Sequence, residues 1–590
     1  TISNSYATGS VESKSKVGGL IGNNHIINVQ ITNSYFDIDS AAINGTPTVD
    51  SYGIYHHQFQ DWLNGGLSLN PVTYFGAETA TNSYKVSGIQ ELKDLLGFAN
   101  KADYTFTLAA NIDMADAPSG FYIPSWAGTF DGNNNILSNF TLNNTLIRYT
   151  GLFGQTTKGA NIKNIGLSNI NVSSSIGSST GGLVGYNQGT INNSYVTGTV
   201  TSTSGSNVGG LVGSNSEGTI NNSYVTGTIT STSGDNVGGL VGYNTRGAIS
   251  NSYASGTVSG ATRVGGLIGY DAGTKSISIS NNYAANHVSG ASKVGGLVGL
   301  KNGITLSIYT SNFWDVTRSG LADGLGIGMI KTSAGIIGTP QTGVTGLTTQ
   351  QMHTQSSFVP TGKDAKQWNF TPETGVWVMV EGQSNPLLRA LMTPLTVTAN
   401  NATKTYDGQA YNGSAGVTYS VTPNMANLSG TLSYHSGINT GTHDITLSGL
   451  ISNQSYLINY INGTLTVEKK PITASNEAPA TSSGGSTSTS SGGSTSTSSG
   501  DVASRAIRAL PNGEKLIPAY TSALITPQTS PNISNTNNIN EGVTTNNFTL
   551  FNSGMNSSRI NIDKISNEKD NDRVRKKDDS TSTNNSPKEI

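Results

Sequence analysis

The feature that most constrains this chain is an internal repeat of roughly 30 residues, a period typical of solenoids and other repeat arrays. Aligned copies place a tyrosine at the same point, which gives the evenly spaced set Tyr195, Tyr224, Tyr253 and Tyr283. Phe313 takes that place in the next copy. A unit this short cannot bury its own apolar residues, so it must stack on its neighbours. We therefore expect an elongated solenoid.

Each copy contains two short stretches of alternating apolar and polar residues, separated by turn residues, which is typical of strands. If one unit forms one coil, equivalent residues lie ~4.8 Å apart, the spacing of hydrogen-bonded strands. Valine, leucine, isoleucine and tyrosine would then form internal ladders. Glu217 and Arg246 both stand seven residues before their tyrosine. Stacking would therefore place these two charges side by side.

Each copy also contains a pair of glycines. The second members of these pairs are Gly182, Gly210, Gly239, Gly266 and Gly296. We expect such glycines where the chain turns with a positive φ, or where coils lie too close for a Cβ. Paired asparagines, such as Asn192 and Asn193, tolerate left-handed backbone and can bond from coil to coil. Both interpretations are structural.

Composition excludes several classes of partner. Charged residues are 11% of the chain, against about a quarter in ordinary domains. The formal charge of −2 gives no field to gather nucleic acid or anionic membrane. Cysteine is absent, which excludes disulfides, thiolate nucleophiles and cysteine metal sites. No apolar run approaches the length of a membrane span. We expect neither a nucleic-acid partner nor a membrane span.

The unit GGLVG…G.I.NSY..G.V resembles the GLUG repeat, which occurs in large secreted bacterial proteins of the filamentous-haemagglutinin type. Many of these are exported by two-partner secretion. The resemblance implies an all-β, right-handed parallel β-helix that acts in surface adhesion. It also implies export through a separately encoded outer-membrane porin. Residues 2–9 match the second half of the repeat, so we expect the chain to begin inside a larger protein whose export signal lies upstream.

A second resemblance begins at LTVTANNATKTYDGQAYNG, which is similar to the small β-rich MBG or YDG-type domain. Tyr406, Asp407 and Gly408 supply its signature. The predicted organisation is as follows: partial GLUG repeats over 1–36, an irregular insertion over 37–86, a leading helix and first coils over 87–176, the GLUG array over 177–315, a C-terminal cap over 316–393, the MBG/YDG-type domain over 394–470, a Ser/Gly/Thr linker over 471–500 and a disordered tail over 501–590.

Ser87 and Gln90 predict a capping box that opens the one helix of the chain, with the β-helix starting near residue 103. Four of the five tryptophans flank the stacked units and are expected to cap the solenoid: Trp62, Trp126, Trp368 and Trp377.

His56 and His57 lie in a polar segment and are expected to be solvated. A metal site there is a less favoured alternative, since no strand or helix spacing converges the ligands.

The predicted function is a non-catalytic adhesin, secreted or on the surface of a Gram-negative bacterium, with a host glycan or matrix protein as partner. One alternative is a β-helix carbohydrate-active enzyme, such as a polysaccharide lyase or glycosidase, which would need converging carboxylates. Glu217, Asp235 and Asp271 occupy different repeat positions. We therefore predict no catalytic residue, metal or cofactor. A second alternative is a structural spacer of a biofilm matrix.

Overall fold

The computed structural model describes residues 1–12, 17–22, 31–144, 147–273, 277–302, 307–321, 330–332, 335–337, 342–359 and 368–472. All of them belong to one compact unit, Thr1–Ala478. The predicted linker beyond residue 472 and the predicted tail over 501–590 lie outside the described residues.

The main body is a parallel β-solenoid of about ten coils. Its coils contribute strands to three parallel sheets. The first sheet contains Ile123–Trp126, Phe153–Thr156, Val184–Asn187, Val212–Ser216, Val241–Thr245, Ile268–Asp271 and Val298–Lys301. The second contains Ser83–Val86, Thr105–Leu108, Thr129–Asp131, Asn161–Lys163, Thr190–Asn192, Thr219–Asn221, Ala248–Ser250, Ser278–Ser280 and Ile308–Thr310.

The third sheet is the largest, because long strands join two rows of shorter ones. Its strands are Ile112–Asp113, Ile136–Ser138, Thr141–Asn144, Tyr149–Thr150, Gly166–Ser174, Ser179–Gly181, Tyr195–Ser202, Asn207–Gly209, Tyr224–Ser231, Asn236–Gly238, Tyr253–Gly265, Tyr283–Gly295, Asn312–Asp315 and Val344–Leu347.

The register confirms one repeat for each coil. Tyr195 pairs with Tyr224, and Ile191 pairs with Ile220. The predicted ion pair is also present, since Arg246 Nη1 lies 2.7 Å from Glu217 Oε1. The parallel β-helix predicted from the repeats is therefore correct. Its right-handed coiling stays a prediction.

The solenoid interior is filled by columns of fully buried aliphatic residues, one from each coil. One such column is Leu183, Leu211, Leu240, Leu267 and Leu297. Apolar burial of this kind contributes about 1.5–3 kcal/mol for each side chain. Because the coils are equivalent, every column is continuous and the core has no internal boundary across the repeats.

A polar column also runs through the interior. Asn187 Nδ2 donates to Asn215 Oδ1 at 2.9 Å, and Asn215 Nδ2 donates to Asn244 Oδ1 at 3.0 Å. Asn244 Nδ2 then donates to Asp271 Oδ1 at 3.1 Å. All four side chains are fully buried. Burial of an amide costs free energy unless its hydrogen bonds are made, so this ladder also favours the register that aligns the asparagines.

The left-handed backbone predicted for the paired asparagines is found at one asparagine of each repeat, two residues before its tyrosine. Asn193, Asn222 and Asn251 have φ of 48°, 49° and 48°. Asn193 Nδ2 donates to Asn164 Oδ1 of the preceding coil at 3.0 Å. Asparagine here therefore forms the corner and connects successive coils.

Close packing of the coils explains the glycine pairs. Gly182 N–H donates to Gly210 O at 3.0 Å, and a Cβ on Gly182 would lie 2.6 Å from that oxygen. The same approach of a would-be Cβ to the next carbonyl recurs at Gly210, Gly239 and Gly266. Close packing of the coils, and not a positive φ, requires glycine here.

The N-terminal residues form a smaller stack. Its strands are Ile2–Ser3, Tyr6–Ala7, Ile31–Thr32, Tyr35–Asp37, Ala42–Ile43, Thr46–Pro47 and Gly53–Ile54. Tyr6 pairs in parallel with Tyr35, its counterpart one repeat later. We call residues 1–75 the N-terminal module. Its buried side chains join those of the solenoid in one core.

Two expectations for the insertion were wrong. It is not irregular, because it contains the helices His56–Asn64 and Pro71–Phe75, and Phe59 and Trp62 of the first are buried. The solenoid starts at Ser83–Val86, which pairs with Thr105–Leu108. The spacing of the apolar residues within HHQFQDWLN is the sequence signal for the first helix. It was missed because the helix contains few apolar residues.

The helix after Ser87 also differs from the prediction. It covers Ile89–Asp94 and continues as a 3₁₀ turn over Leu95–Phe98. Gly88 is the N-cap, and no side chain caps it. Gln90 Nε2 donates instead to Asp94 Oδ1 at 3.1 Å, so the predicted capping box does not form.

Further short helices are Val316–Ser319 and Thr349–Met352, with 3₁₀ turns over Gln355–Phe358, Arg389–Leu391 and Met425–Asn427. Two antiparallel ribbons pair Ile330–Thr332 with Gly335–Ile337 and Trp377–Val378 with Leu387–Leu388. Among the described residues, no helix is both long enough and apolar enough to cross a bilayer.

A small β domain follows from residue 393. Its strands are Thr393–Ala399, Ala402–Thr405, Val417–Tyr419, Leu428–Ser429, Ser433–His435, Gly441–Ser448, Ile451–Ser452, Tyr456–Ile461 and Gly463–Glu468. It has its own core, to which Leu395, Val397, Ile445 and Leu465 contribute fully buried side chains.

We predict that Gly210→Ala destabilises the solenoid by about 1–3 kcal/mol, the usual cost of overpacking. The added Cβ would meet Gly239 O and Val225 Cγ1. Urea unfolding measures the change. Gly9→Ala is the control, because nothing lies within 4 Å of a Cβ there. Equal stability of the two variants would contradict the close approach of the coils.

Candidate functional site

The most distinctive surface is a column of tyrosines on the outer side of the third sheet. Ring centroids are 4.9 Å apart for Tyr195 and Tyr224, 4.9 Å for Tyr224 and Tyr253, and 4.7 Å for Tyr253 and Tyr283. The planes are within 7° of parallel. Offset stacking at such distances is favourable. We call this column the tyrosine ladder.

The tyrosine ladder corrects the prediction that these side chains line the interior. Neighbouring residues of a strand point to opposite faces, and Val196 occupies the core. The tyrosines therefore point outward and belong to a separate apolar cluster. Their burial comes from a covering segment, which raises the pKa of Tyr195 to about 12 and that of Tyr253 well above its usual value.

The covering segment lies between the last coil and the small domain. Trp368 and Trp377 stack on each other at 4.3 Å, and Trp377 lies 6.0 Å from Tyr283. Trp368 Nε1 also donates to Ser311 O at 2.9 Å. These tryptophans were expected to cap the solenoid. They cover the side of its last coils instead.

One glutamine fixes the small domain on the tyrosine ladder. Gln454 Oε1 accepts from Tyr253 Oη at 3.0 Å and from Leu388 N–H at 2.8 Å. Its Nε2 donates to Leu388 O at 2.8 Å. Gln454 is buried and has a φ of 87°. We call this three-bond contact the Gln454 latch; no sequence motif indicated it.

A cleft of about 390 Å³ lies beside the latch, where the tyrosine ladder ends at Tyr195. Ile136 and Gly166 line it from the solenoid, and Met392 and Tyr456 line it from the opposite side. None of its lining residues is charged. This cleft can hold an uncharged group, but several of its amides are already engaged, Gln454 among them.

The signature of the small domain forms a surface turn. Lys404 Nζ lies 2.6 Å from Asp407 Oδ1, and Gly408 has a φ of 75°. The Lys404 hydrogen bond, together with the Gln409 N–H, lowers the pKa of Asp407. Tyr406 is exposed. Tyr406, Asp407 and Gly408 thus shape a turn, as their residue types indicate.

The carboxylates of the array do not come together. Glu217 pairs with Arg246, and Asp235 lies 3.8 Å from Arg263. Asp271 is buried at the end of the asparagine ladder, where it also accepts from Tyr309 Oη at 2.7 Å. Burial raises the pKa of Asp271. Within the described residues, these acids offer no general acid and base pair.

The two histidines that were expected to be solvated are exposed, and each also binds a carboxylate. His56 Nδ1 lies 2.7 Å from Asp37 Oδ2, and His57 Nε2 lies 2.6 Å from Asp94 Oδ1. Both acids are buried. Asp37 also accepts from Ser40 Oγ at 2.6 Å. These pairs connect the first helix of the module to its sheet and to the helix at Ile89–Asp94.

Comparison with protein families identifies the repeat array and the small β domain. The GLUG motif matches residues 176–201, 204–230 and 233–259, and the MBG domain (YGX type) matches residues 395–466. The chain carries GLUG motifs and an MBG domain. The Gln454 latch therefore lies between the MBG domain and the GLUG array, and it bonds to the tyrosine of the third matched motif.

Two known proteins are similar to parts of the chain. Halomucin from Haloquadratum walsbyi is 26% identical over 177 residues, which are 28% of this chain and 2% of halomucin. A crystal structure from Bacteroides ovatus, described as an immunoglobulin A1 protease, shares 22% identity and a TM-score of 0.35. That match covers 46% of this chain and 84% of the other.

We predict that Gln454→Ala loosens the MBG domain from the GLUG array at a cost of about 1–3 kcal/mol, because Tyr253 Oη and Leu388 lose buried partners. Hydrogen exchange at residues 386–392 should accelerate. Gln409→Ala removes an exposed amide of the same domain and should leave exchange unchanged. Equal exchange in both variants would show that the latch does not hold the domain.

We also predict a pH dependence of the N-terminal module. The hydrogen bond to Asp37 raises the pKa of His56. Burial alone would raise the pKa of Asp37, but hydrogen bonds from His56 and Ser40 outweigh that effect and lower the pKa. The stability that the raised pKa of His56 contributes is fully present below about pH 6.5 and is lost as the pH rises through the folded-state pKa. The stability that the lowered pKa of Asp37 contributes is present above about pH 3.8 and is lost as the pH falls through the folded-state pKa.

Protection from proteolysis within the module should therefore be higher at mildly acidic than at alkaline pH. His56→Gln should remove that difference. His287→Gln, which changes an exposed histidine of the GLUG array, should preserve it. A difference that survives in His56→Gln would assign the pH dependence to another group.

Proposed function

We propose that the chain is a non-catalytic adhesin, secreted or displayed on a bacterial surface, in which the GLUG array acts as a stiff spacer and carries the MBG domain in a fixed orientation. The observation that carries this proposal is the unbroken stack of coils to which the Gln454 latch fixes the domain. Each repeat adds ~4.8 Å of length. Such an array supplies reach, and its loops and attached domain supply contact.

The partner we propose is a host glycan or matrix protein. The resemblance to filamentous-haemagglutinin-type proteins supports this choice, as well as a Gram-negative source and export through a separately encoded outer-membrane porin. The similarity to a small part of halomucin supports a secreted or surface location. The carbohydrate-active alternative is disfavoured because Glu217, Asp235 and Asp271 lie in separate environments.

Beads coated with the full chain test this function on immobilised glycans and matrix proteins. We expect saturable attachment that soluble chain inhibits, without release of reducing sugar. Albumin-coated beads provide the control. Sugar release would favour the enzyme, and attachment of coated beads only to one another would favour the biofilm spacer.

A further inference from the structure

A second cavity, of about 250 Å³, lies where the N-terminal module meets the first coils. Tyr35, Asp50 and Tyr52 line it from the module, and Ser125 and Gln155 line it from the first sheet. Pockets for drug-sized ligands usually measure ~300–1,000 Å³. This cavity therefore suits a smaller ligand, of about one sugar ring.

Four of the polar side chains that line this cavity have no hydrogen-bond partner among the described residues, whereas Tyr35 Oη already donates to Gly97 O at 3.2 Å. The four belong to Asn100, Ser125, Gln155 and Thr157. This differs from the GLUG array, where amides such as Asn215 bond to the coils on either side. Hydrogen-bonding groups that converge on a cavity without internal partners are available to a ligand.

The module adds an acid to this set. The Asp50 carboxylate is half-buried. Burial raises its pKa, and the backbone N–H groups of Ser51 and Gly19 oppose that rise. Within the described part of the chain, no cationic side chain pairs with it. A carboxylate in this setting still has lone pairs for donors from a ligand.

An aromatic residue completes the cavity. Tyr52 has a φ of 69° and remains 36% exposed. Left-handed backbone is unusual for a bulky residue and is held only where the surrounding structure enforces it. The strained backbone thus keeps an aromatic surface at the cavity.

We propose that this cavity binds one neutral sugar unit, with its hydroxyls bonded to Asp50 and Gln155 and its apolar face against Tyr52. Several neutral donors and acceptors beside one carboxylate match a ring that carries many hydroxyls. An acidic sugar would bring a second negative charge to Asp50. A simple amine would leave the amides and hydroxyls unused. The role of this site in attachment rests on the function proposed above, but binding itself can be measured without cells.

Isothermal titration of the full chain with methyl glycosides of glucose, galactose, mannose and N-acetylglucosamine tests the proposal. We expect saturable binding of at least one. Gln155→Ala should weaken it about fivefold to tenfold, the effect of one neutral hydrogen bond. Gln188→Ala, which removes an exposed amide elsewhere on the solenoid, should not. Asp50→Asn should also weaken binding while its unfolding curve stays that of a folded chain.

Binding of none of these glycosides, or binding that Gln155→Ala leaves unchanged, would overturn the proposal. So would a preference for ethylammonium or methyl glucuronide over all neutral glycosides. If the coated beads still attach to matrix proteins in that case, the adhesin function stands and only the sugar site fails.

Discussion

The rest of this structure depends on the hydrogen bonding of each coil to the next at the spacing of parallel strands. At that spacing, a residue's nearest neighbours include its own counterpart in the preceding and following repeats. Every side chain must therefore pack against a copy of itself. Leucine, tyrosine and asparagine can do so by apolar contact, ring stacking and amide bonding respectively. Glycine is needed where even a Cβ would meet the carbonyl of the next coil.

This constraint explains how a chain so poor in charge builds a long body. Its buried polar groups bond to their own copies, as Asn187, Asn215 and Asn244 do, and no opposite charge is required. It also explains why departures from the repeat mark special places. Asp271 replaces asparagine where the internal ladder ends, and Gly166 replaces tyrosine where the tyrosine ladder ends.

Periodicity and residue type were sufficient to predict the solenoid, its register and the Glu217–Arg246 pair, because these depend only on comparing one repeat with the next. They could not decide which side of the third sheet the tyrosines occupy. An outward tyrosine is favourable only if another segment covers it, and that segment lies outside the repeats. The Gln454 latch was unpredictable for the same reason: a single glutamine, 201 residues from Tyr253 along the chain, has no repeat that could reveal its partner.

The N-terminal module shows the same limit. Its helices follow a pair of partial repeats, and their apolar residues are too few for a clear periodic pattern. His56 and His57 are exposed, as expected, but their pairing was not predicted because their partners, Asp37 and Asp94, are distant in sequence. The cavity that includes Asp50 and Gln155 likewise combines residues from two stacks. Repeats thus predict the body of the protein, and contacts between non-equivalent segments determine its surfaces.

The central claim is that each repeat advances the chain by one strand spacing. Because the chain has no cysteine, nitroxide labels on introduced cysteines can measure this directly by electron paramagnetic resonance. Ser173 and Ser289 should lie about 19 Å apart, four coils away from each other, and Asn143 and Ser289 about 24 Å apart, five coils away. An increase of about 5 Å between the two pairs would support the account. A step of about 10 Å, the spacing of packed helices or sheets, would contradict it.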